Sequence, residues 1–368
     1  MKLRKITETL EQVAPLSYQE SYDNSGLITG NNDLEISKIL LCLDCIESVV
    51  DEAIEKGCEL IIAHHPIVFS GLKKLNGKNY IERVIIKLIK NDIAIYACHT
   101  NLDNVLKNGV NQKIAQKIGL ENVQILSPMR NLMSKLVVYC PSDKPEIVNR
   151  VRENLFNNGA GNISDYSNCS FNLQGKGTYL PGESTNPAYG EKGITNFMDE
   201  TKIEVVVMNQ DANRILAEVN KVHPYEEVAY EIIPMANANK QFGAGIIGEL
   251  KEGMETKKFL SNLKSSMQTD CIRHTKIHKD KVTKIAVCGG SGSFLLDVAK
   301  RNKADVFITG DYKYHQFFDA ENQIIIADIG HYESEQFTIE LFEEILKDKV
   351  IGVELIKTHV NTNPVNYC

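Results

Sequence analysis

Apolar residues recur along the chain in two spacings, one typical of buried strands and one typical of amphipathic helices. The runs KILLCLDC, from Lys38, and ELIIAHHP, from Glu59, are short and almost continuously apolar, as strands buried on both faces of a parallel sheet are. Between them, the segment SVVDEAIEK places its apolar residues at helical spacing. This succession of strand, helix and strand predicts an α/β fold.

The same pattern occurs a second time further along the chain. The segment that begins at Lys284 aligns without a gap on the one that begins at Lys38, and Cys288 then falls on Cys42. Each copy continues through a helical stretch to a third apolar run, IAIYACHT near residue 96 and QIIIADIG near residue 326. We therefore predict two related three-layer α/β lobes.

Residues 129–245, between the two lobes, differ from them in the order of their apolar segments. The first predicted strand is KLVVYCP and the last is EVAYEIIPM. With two strands between them and the helices PEIVNRVRENLFNN and ANRILAEVNKV, the order of elements is βαββαβ. This order is typical of the ferredoxin-like split βαβ fold. We predict that residues 129–245 form an inserted α+β domain, and that residues 1–128 and 246–368 form the α/β domain.

Composition and charge exclude several classes of function. The net charge is −7, with 41 Lys and Arg against 48 Asp and Glu, so we do not expect a nucleic-acid-binding protein. No apolar run reaches the roughly 20 residues that cross a membrane, and the N-terminal MKLRKITETLEQV contains no signal-peptide core. We expect a cytoplasmic protein with reduced thiols. Cys42 and Cys45 are interpreted as two core cysteines around Asp44, with a zinc or redox pair as the alternative.

Polar side chains cluster where three of the predicted strands end. These side chains are His64, His65, Asp103, His331 and Glu335. Ligands of open α/β sheets bind beyond the carboxyl ends of the strands, and His331 and Glu335, one helical turn apart, share a face. Three imidazoles and two carboxylates suit zinc, iron, manganese, cobalt or nickel, and they suffice for two divalent cations if one carboxylate bridges. The alternative is a set of ordinary histidines at strand ends.

Other residues near these strand ends are weaker candidates. His99 precedes Asp103 by four residues and is a candidate to orient a ligand or act as general base, with an ordinary strand-end histidine as the alternative. Asp311 and His315 are also four residues apart, and Asp311 falls opposite His65 when the lobes are aligned. The catalytic residue itself stays unidentified at this point.

A glycine-rich segment follows the first strand of the second lobe. Gly290, Ser291 and Gly292 lie between a predicted strand and a predicted helix, where free backbone amides bind phosphate. Tight packing of strand against helix is the alternative. Near the start of the chain, Asp23 lies in a Gly-bounded loop and is interpreted either as a turn residue or as a substrate contact.

Several motifs together resemble one known family. AHHPIVFSG, HTNLDNV, GGSGSFLL, VFITGDYKYHQ and DIGHYESE are similar to motifs of the dinuclear metal-centre proteins known as GTP cyclohydrolase 1 type 2 homologues, across residues 1–128 and 246–368. The middle segment, with GKGTYLPGES and HPYEEVAYEI, resembles the PII-like insert of the longer members. The resemblance implies two three-layer α/β lobes with an inserted ferredoxin-like (PII-like) α+β domain.

The resemblance also implies a function and an assembly. It implies two divalent metal cations per chain, with Glu335 bridging, His65 and Asp103 on one ion, and His64 and His331 on the other. It implies a hydrolase acting on a nucleotide, similar to GTP cyclohydrolase 1 type 2, and a toroidal homohexamer with its metal sites facing an internal cavity. The alternative is a metal-handling or regulatory hexameric scaffold without turnover. Where many members carry Trp, this chain has Tyr22, which leaves the metal ligands intact.

Overall fold

The computed structural model describes residues 1–368, which divide into two units. The first unit comprises Met1–Pro128 and Gln241–Cys368, and the second comprises Met129–Lys240. The second unit therefore interrupts the first, in the manner of an inserted domain.

The end of the second unit lies at residue 240 rather than at the expected residue 245. Residues 241–245 belong to the first unit because they bond and pack within it. The Gly243 amide donates to the Asn104 carbonyl at 2.7 Å, and the Phe242 ring centroid lies 4.1 Å from that of Tyr18. The apolar pattern hides this boundary, since the same strand continues across it.

Fifteen strands and eleven α-helices make up the two units. The strands are β1 (Gly26–Thr29), β2 (Lys38–Cys42), β3 (Leu60–Ala63), β4 (Ala94–Ala97), β5 (Leu120–Arg130), β6 (Met133–Pro141), β7 (Ser170–Tyr179), β8 (Asn196–Met208), β9 (Tyr230–Met235), β10 (Ala238–Glu255), β11 (Arg273–His274), β12 (Lys281–Ser291), β13 (Val306–Gly310), β14 (Ile325–Asp328) and β15 (Glu354–Lys357). The helices are α1 (Leu3–Glu11), α2 (Glu47–Lys56), α3 (Tyr80–Lys90), α4 (Thr100–Asp103), α5 (Val110–Ile118), α6 (Pro145–Asn157), α7 (Ala212–Val222), α8 (Thr256–Ser266), α9 (Leu296–Arg301), α10 (His331–Glu335) and α11 (Thr338–Leu346). Short 3-10 helices cover Leu16–Tyr18, Ser293–Leu295 and Tyr314–Ala320. None of the helices combines the length and the apolar character needed to cross a membrane.

The first sheet of the first unit has five strands in the order β1-β4-β3-β2-β15. Strands β15, β2, β3 and β4 are parallel, and β1 pairs with β4 in the antiparallel direction. Every residue of β3 and β4 is buried, because α2 and α3 cover one face while α11 packs on β2. Gly57 ends α2 with a left-handed φ of 66°, which returns the chain towards β3.

The central strands of the second sheet are arranged like those of the first. Its order is β11-β14-β13-β12-β10-β5, and β12, β13 and β14 are parallel. Strand β12, helix α9 and strand β13 correspond to β2, α2 and β3, which confirms the predicted pair of α/β lobes. A 3-10 helix, Tyr314–Ala320, takes the place of α3 before β14.

The second unit contains one antiparallel sheet with the order β7-β8-β6-β9. Helices α6 and α7 pack on one face through an apolar core that includes Leu136, Val151, Val205 and Ile215. The chain order βαββαβ with the first and third strands adjacent at the centre is the ferredoxin-like arrangement. The predicted fold of the insert is therefore present, while its likeness to PII proteins stays an expectation.

Candidate metal centre

The five polar side chains expected to bind metal meet in one cavity of the first unit. The cavity has a volume of about 1120 Å³, and four of the five side chains line it, while His64 lies fully buried beside it. His64 and His65 directly follow β3, Asp103 ends α4, and His331 and Glu335 begin and end the single turn of α10. Pro66 turns the chain away from the sheet, so two adjacent histidines can both face the centre.

The first group of ligand atoms contains two buried polar atoms that face each other without a hydrogen-bond partner. His64 Nδ1 donates to the Cys98 carbonyl at 2.8 Å, so its Nε2 carries a lone pair. That Nε2 lies 3.6 Å from Asp103 Oδ1 and 3.8 Å from Glu335 Oε1. His64 Nε2 and Asp103 Oδ1 are both buried without a hydrogen-bond partner. Buried acceptors without partners are costly, and a cation between them would remove that cost.

The second group consists of two imidazoles and the other oxygen of the same glutamate. Glu335 Oε2 lies 2.9 Å from His65 Nε2 and 3.1 Å from His331 Nε2, and the two nitrogen atoms are 3.2 Å apart. On their far sides, His65 Nδ1 contacts Asp44 and His331 Nδ1 contacts Asp311, each at 2.7 Å. Carboxylates in these positions fix the ring orientation and tautomer of metal-binding histidines.

The ligand atoms lie in overlapping groups. Ligand atoms within 4.8 Å of one another form the two groups described above, His64, Asp103 and Glu335 and then His65, His331 and Glu335, and also a third set of His64, His65 and His99. The resemblance implied His65 with Asp103 and His64 with His331. That assignment stays an expectation; in the structure, Asp44 and Asp311 turn the rings of His65 and His331 towards each other, while the Cys98 carbonyl turns His64 towards Asp103. Glu335 is common to both groups, as a bridging carboxylate is.

Without metal, the two histidines beside Glu335 hold protons tightly. Burial by itself lowers the pKa of His65, but hydrogen bonds with Asp44 and Glu335 outweigh burial and raise the pKa to about 10. Burial also lowers the pKa of His331, but the charge of Glu335 and the hydrogen bond with Asp311 raise it to about 11. Protons therefore occupy the positions at which cations would bind.

The two carboxyl groups of the centre differ in their affinity for protons. Burial raises the pKa of Glu335, but the neighbouring imidazolium of His331 holds it well below its usual range. Burial and the negative charge of Glu335 raise the pKa of Asp103 to about 8. One carboxylate is thus ionised and the other mostly protonated at neutral pH, as expected for two acids that share one buried site.

Two residues that support His65 were not identified as site residues from the sequence. Asp44 Oδ1 contacts His65 Nδ1, and Thr362 donates to Asp44 Oδ2 at 2.7 Å. Asp44 lies between Cys42 and Cys45, which are free, buried thiols, so the interpretation of the pair as core cysteines is confirmed. An acidic residue directly after a buried strand is the one signal that points to Asp44.

His99 lies beside the centre and is oriented by a buried carboxylate. Its ring centroid lies 5.3 Å from that of His64 and 5.4 Å from that of His65. His99 Nδ1 contacts Asp23 Oδ1 at 2.7 Å, and Asp23 also accepts hydrogen bonds from Thr100 and Ser25. Burial alone raises the pKa of Asp23, but these hydrogen bonds outweigh burial and hold it well below its usual range. Asp23 therefore stays ionised and leaves His99 Nε2 for the cavity.

The predicted pair Asp311 and His315 separates in the structure. Asp311 has a φ of 56°, a left-handed conformation that is uncommon outside glycine, and its side chain contacts His331. His315 is exposed and contacts only the rings of Tyr314 and Phe318 among aromatic neighbours. The pair separates because His315 lies on a 3-10 helix and Asp311 precedes it in a different conformation. His315 does not line the cavity.

Amides of the glycine-rich segment donate to side chains elsewhere in the chain. The amides of Gly290 and Gly292 donate to the hydroxyls of Ser334 and Thr309, each at 2.9 Å. The Gly289 amide donates to Asn111 at the same distance. These bonds favour the alternative of close packing, and the phosphate site at Gly290, Ser291 and Gly292 stays an expectation. A Cβ atom at Gly290 would lie 2.4 Å from Glu335 Oε1.

Gly290→Ala is expected to displace Glu335 and release metal. Its φ of +61° is strained for alanine, which costs about 1–2 kcal/mol, and the added Cβ would collide with the Glu335 carboxylate. Gly57→Ala is the matched control, because Gly57 has a φ of +66° and nothing within 4 Å of the added Cβ. Both variants carry the backbone strain, and Gly290→Ala should lose more stability in denaturant with chelator present because of the added contact. Elemental analysis should show metal loss in Gly290→Ala alone, and equal metal content in both would contradict the clash.

One known protein family matches nearly the whole chain. Residues 1–364 match the family described as Duf34/NIF3 (NGG1p interacting factor 3). The match includes both lobes and the inserted unit.

Known relatives are similar over their full length. A protein of Halalkalibacterium halodurans named GTP cyclohydrolase 1 type 2 homolog is 39% identical over 367 residues, covering 98% of each chain. A protein of the same name from Bacillus subtilis is 36% identical over 369 residues, covering 99% of this chain and 98% of the relative. The crystal structure of a Bacillus cereus protein related to NIF3 is similar with a TM-score of 0.85 and 35% identity, covering 100% of this chain and 99% of that one.

Proposed function

The chain belongs to the Duf34/NIF3 family, and from this premise we propose that it is a hydrolase dependent on two divalent cations. The side chains that would hold the cations are the five that meet at the centre: His64, His65, Asp103, His331 and Glu335. The relatives named GTP cyclohydrolase 1 type 2 homolog support a purine nucleotide as the class of substrate.

One observation carries the proposal. His64 Nε2 and Asp103 Oδ1, 3.6 Å apart, are buried without a hydrogen-bond partner, and both lie near the carboxylate of Glu335. A lone buried acceptor can be an accident of packing, but a converging set of five nitrogen and oxygen ligands is the donor set that zinc, iron, manganese, cobalt and nickel favour. Two such cations, when bound, would lower the pKa of a water molecule and polarise a substrate oxygen.

Side chains around the centre prepare it for hydrolysis. Asp44 and Asp311 hold the rings of His65 and His331 so that both Nε2 atoms face Glu335. Asp23 keeps the Nδ1 proton of His99 in place, which leaves His99 Nε2 to take a proton from the attacking water and return it to the leaving group.

His99→Ala is expected to lower turnover by about 10²- to 10⁴-fold while metal content stays unchanged, because His99 would move the proton and not bind the ions. The control is His315→Ala, which removes an exposed histidine outside the cavity and should leave turnover unchanged. Steady-state kinetics and elemental analysis on the same preparations check both variants. Metal loss in His99→Ala would instead make His99 a ligand beside His64 and His65, whose nitrogen atoms lie within 4.8 Å of its own.

The test of the proposed function measures metal content and turnover together. Protein purified without chelator or affinity tag is analysed for the five candidate metals and then incubated with GTP, GMP and guanosine, with products followed by absorbance and mass. We expect about two ions per chain and hydrolysis that disappears with chelation and returns on reloading. Asp103→Asn should lose both an ion and activity.

Two outcomes would contradict the hydrolase. Bound metal without hydrolysis of any of the three purines would favour a metal-handling or regulatory assembly without turnover. No uptake of any metal would contradict both functions, and the buried acceptors of His64 and Asp103 would then need another partner.

We also propose that the chain assembles into a toroidal homohexamer, as the family resemblance implies. Multi-angle light scattering should then give six times the chain mass of 41.2 kDa. A mass of one, two or three chains at micromolar concentration would contradict the hexamer.

A further inference from the structure

The cavity around the candidate metal centre is lined by negative charge. No lysine lines the cavity. Besides Asp103 and Glu335, five further acidic residues line it: Glu20, Asp44, Asp311, Asp328 and Glu333. Two divalent cations and one arginine would together carry five positive charges against these seven carboxylates. The cavity therefore stays negative even with both ions bound, and it repels anions.

The one arginine of the cavity is already paired. Arg273 donates to the buried carboxylate of Asp328 and, at 3.0 Å, to the Tyr312 carbonyl. Backbone amides do not replace it, because those of Gly290 and Gly292 are bonded to side-chain hydroxyls. Phosphate groups are bound by arginine, lysine or free backbone amides; here the arginine is paired, lysine is missing from the lining, and the amides of Gly290 and Gly292 are engaged.

Aromatic side chains with exposed faces surround the same centre. Five of them line the cavity, with exposed fractions between 45% and 66%: Tyr22, Phe69, Tyr80, Phe294 and Tyr367. Phe69 also contacts the ring of His99, at 5.5 Å between centroids. Exposed aromatic faces stack on planar rings irrespective of ring identity, and the surrounding carboxylates accept hydrogen bonds from ring N–H and amino groups.

We propose that the cavity selects an uncharged planar nitrogen heterocycle, so that an unphosphorylated nucleoside or base is preferred to a nucleoside triphosphate. The proposal rests on the proposed hydrolase function and assigns the substrate of that same site, with an unphosphorylated purine in place of the purine nucleotide that the relatives' names suggest. The ring is held by stacking and by hydrogen bonds to carboxylates, and each added phosphate weakens binding through repulsion.

Equilibrium dialysis of the metal-loaded protein against guanosine, GMP and GTP tests the proposal, since the three share one ring and differ in charge. Metal content is measured afterwards, because GTP chelates metal. We expect affinity to fall in the order guanosine, GMP, GTP, with at least a tenfold difference between the first and the last at low salt. Repulsion is screened by salt, so the difference should narrow at high ionic strength. Equal or tighter binding of GTP at low salt would overturn the proposal.

A pair of variants tests the aromatic surface. Phe294→Ala removes an aromatic ring of the cavity, 66% exposed, and should weaken guanosine binding by about tenfold or more. Phe318→Ala removes a ring that is 67% exposed and lies outside the cavity, and should leave binding unchanged. Equal guanosine affinity in both variants would overturn the stacking arrangement.

The binding measurement and the hydrolysis assay test the two proposals independently, so one proposal can be contradicted while the other is supported. Guanosine that binds best but is not hydrolysed contradicts the hydrolase and supports the selection of an uncharged ring. Hydrolysis of GTP with a higher kcat/KM than guanosine supports the hydrolase and overturns the selection. Failure of guanosine to bind at millimolar concentration overturns the selection as well.

Discussion

Glu335→Gln should reduce the metal content of the chain from about two ions to fewer than one and lower turnover by at least on the order of 100-fold. Glu335 is the one side chain that belongs to both groups of ligand atoms, and it is 3% exposed. Glutamine keeps the shape of the side chain but removes the charge and one acceptor. One ion would therefore lose a ligand and the other would keep only a neutral amide oxygen, whereas substitution of any other ligand affects one group.

Glu333→Gln is the matched control for this prediction. Glu333 lies on the same turn of α10, is 6% exposed, and contacts Asn363 rather than the ligand atoms. Elemental analysis of both variants separates loss of a bridging carboxylate from a general disturbance of α10, and kinetics are compared for Glu335→Gln and the unsubstituted chain. Two ions retained in Glu335→Gln, or equal loss in both variants, would contradict the bridging role.

Metal binding should release about two to three protons per chain at neutral pH. In the metal-free chain, the pKa of His65 is raised to about 10, that of His331 to about 11 and that of Asp103 to about 8. All three groups must lose their protons to bind a cation. Protons and cations therefore compete, and metal affinity must fall as the pH falls, by about tenfold per pH unit for each displaced proton.

Calorimetric titration of the chelated protein in buffers of different ionisation enthalpy counts the released protons directly. Over pH 6 to 9, the logarithm of the overall binding constant should rise with a slope of about two, and closer to three below pH 8 where Asp103 is also protonated. His315→Ala supplies the control, because this exposed histidine should leave the slope unchanged. A slope near zero would mean that the three groups are already deprotonated in the metal-free chain.

Much of the site is predictable from sequence because its parts are local. Strands β3, β4 and β14 coincide with short apolar runs, and the polar motifs follow within a few residues. The carboxyl ends of parallel strands lie at one edge of a sheet, so His64 and Asp103 are expected to meet. Helical spacing brings His331 and Glu335 to one face. The order βαββαβ likewise identifies the fold of the insert.

The features of the site that the sequence does not predict depend on contacts between distant residues or on side-chain rotation. Thr362 reaches Asp44 across 318 positions, and no local pattern indicates that contact. The grouping of the ligands depends on how the rings of His65 and His331 are turned by Asp44 and Asp311. The glycine-rich segment has the sequence pattern of a phosphate site. In the structure, two of its amides donate to Ser334 and Thr309, and these partners lie outside the segment, so its sequence alone does not reveal them.

The pairing of β15 with β2 has a consequence for synthesis on the ribosome. Residues 38 and 354 are partners in the first sheet although 316 positions separate them, so β2 emerges long before its neighbour exists. At about 5–20 residues per second, that interval is roughly 15 to 60 s. During this time one edge of an apolar strand lacks its partner, and exposed edges of this kind pair with other chains. Nascent chains should therefore depend on chaperones until β15 has been made.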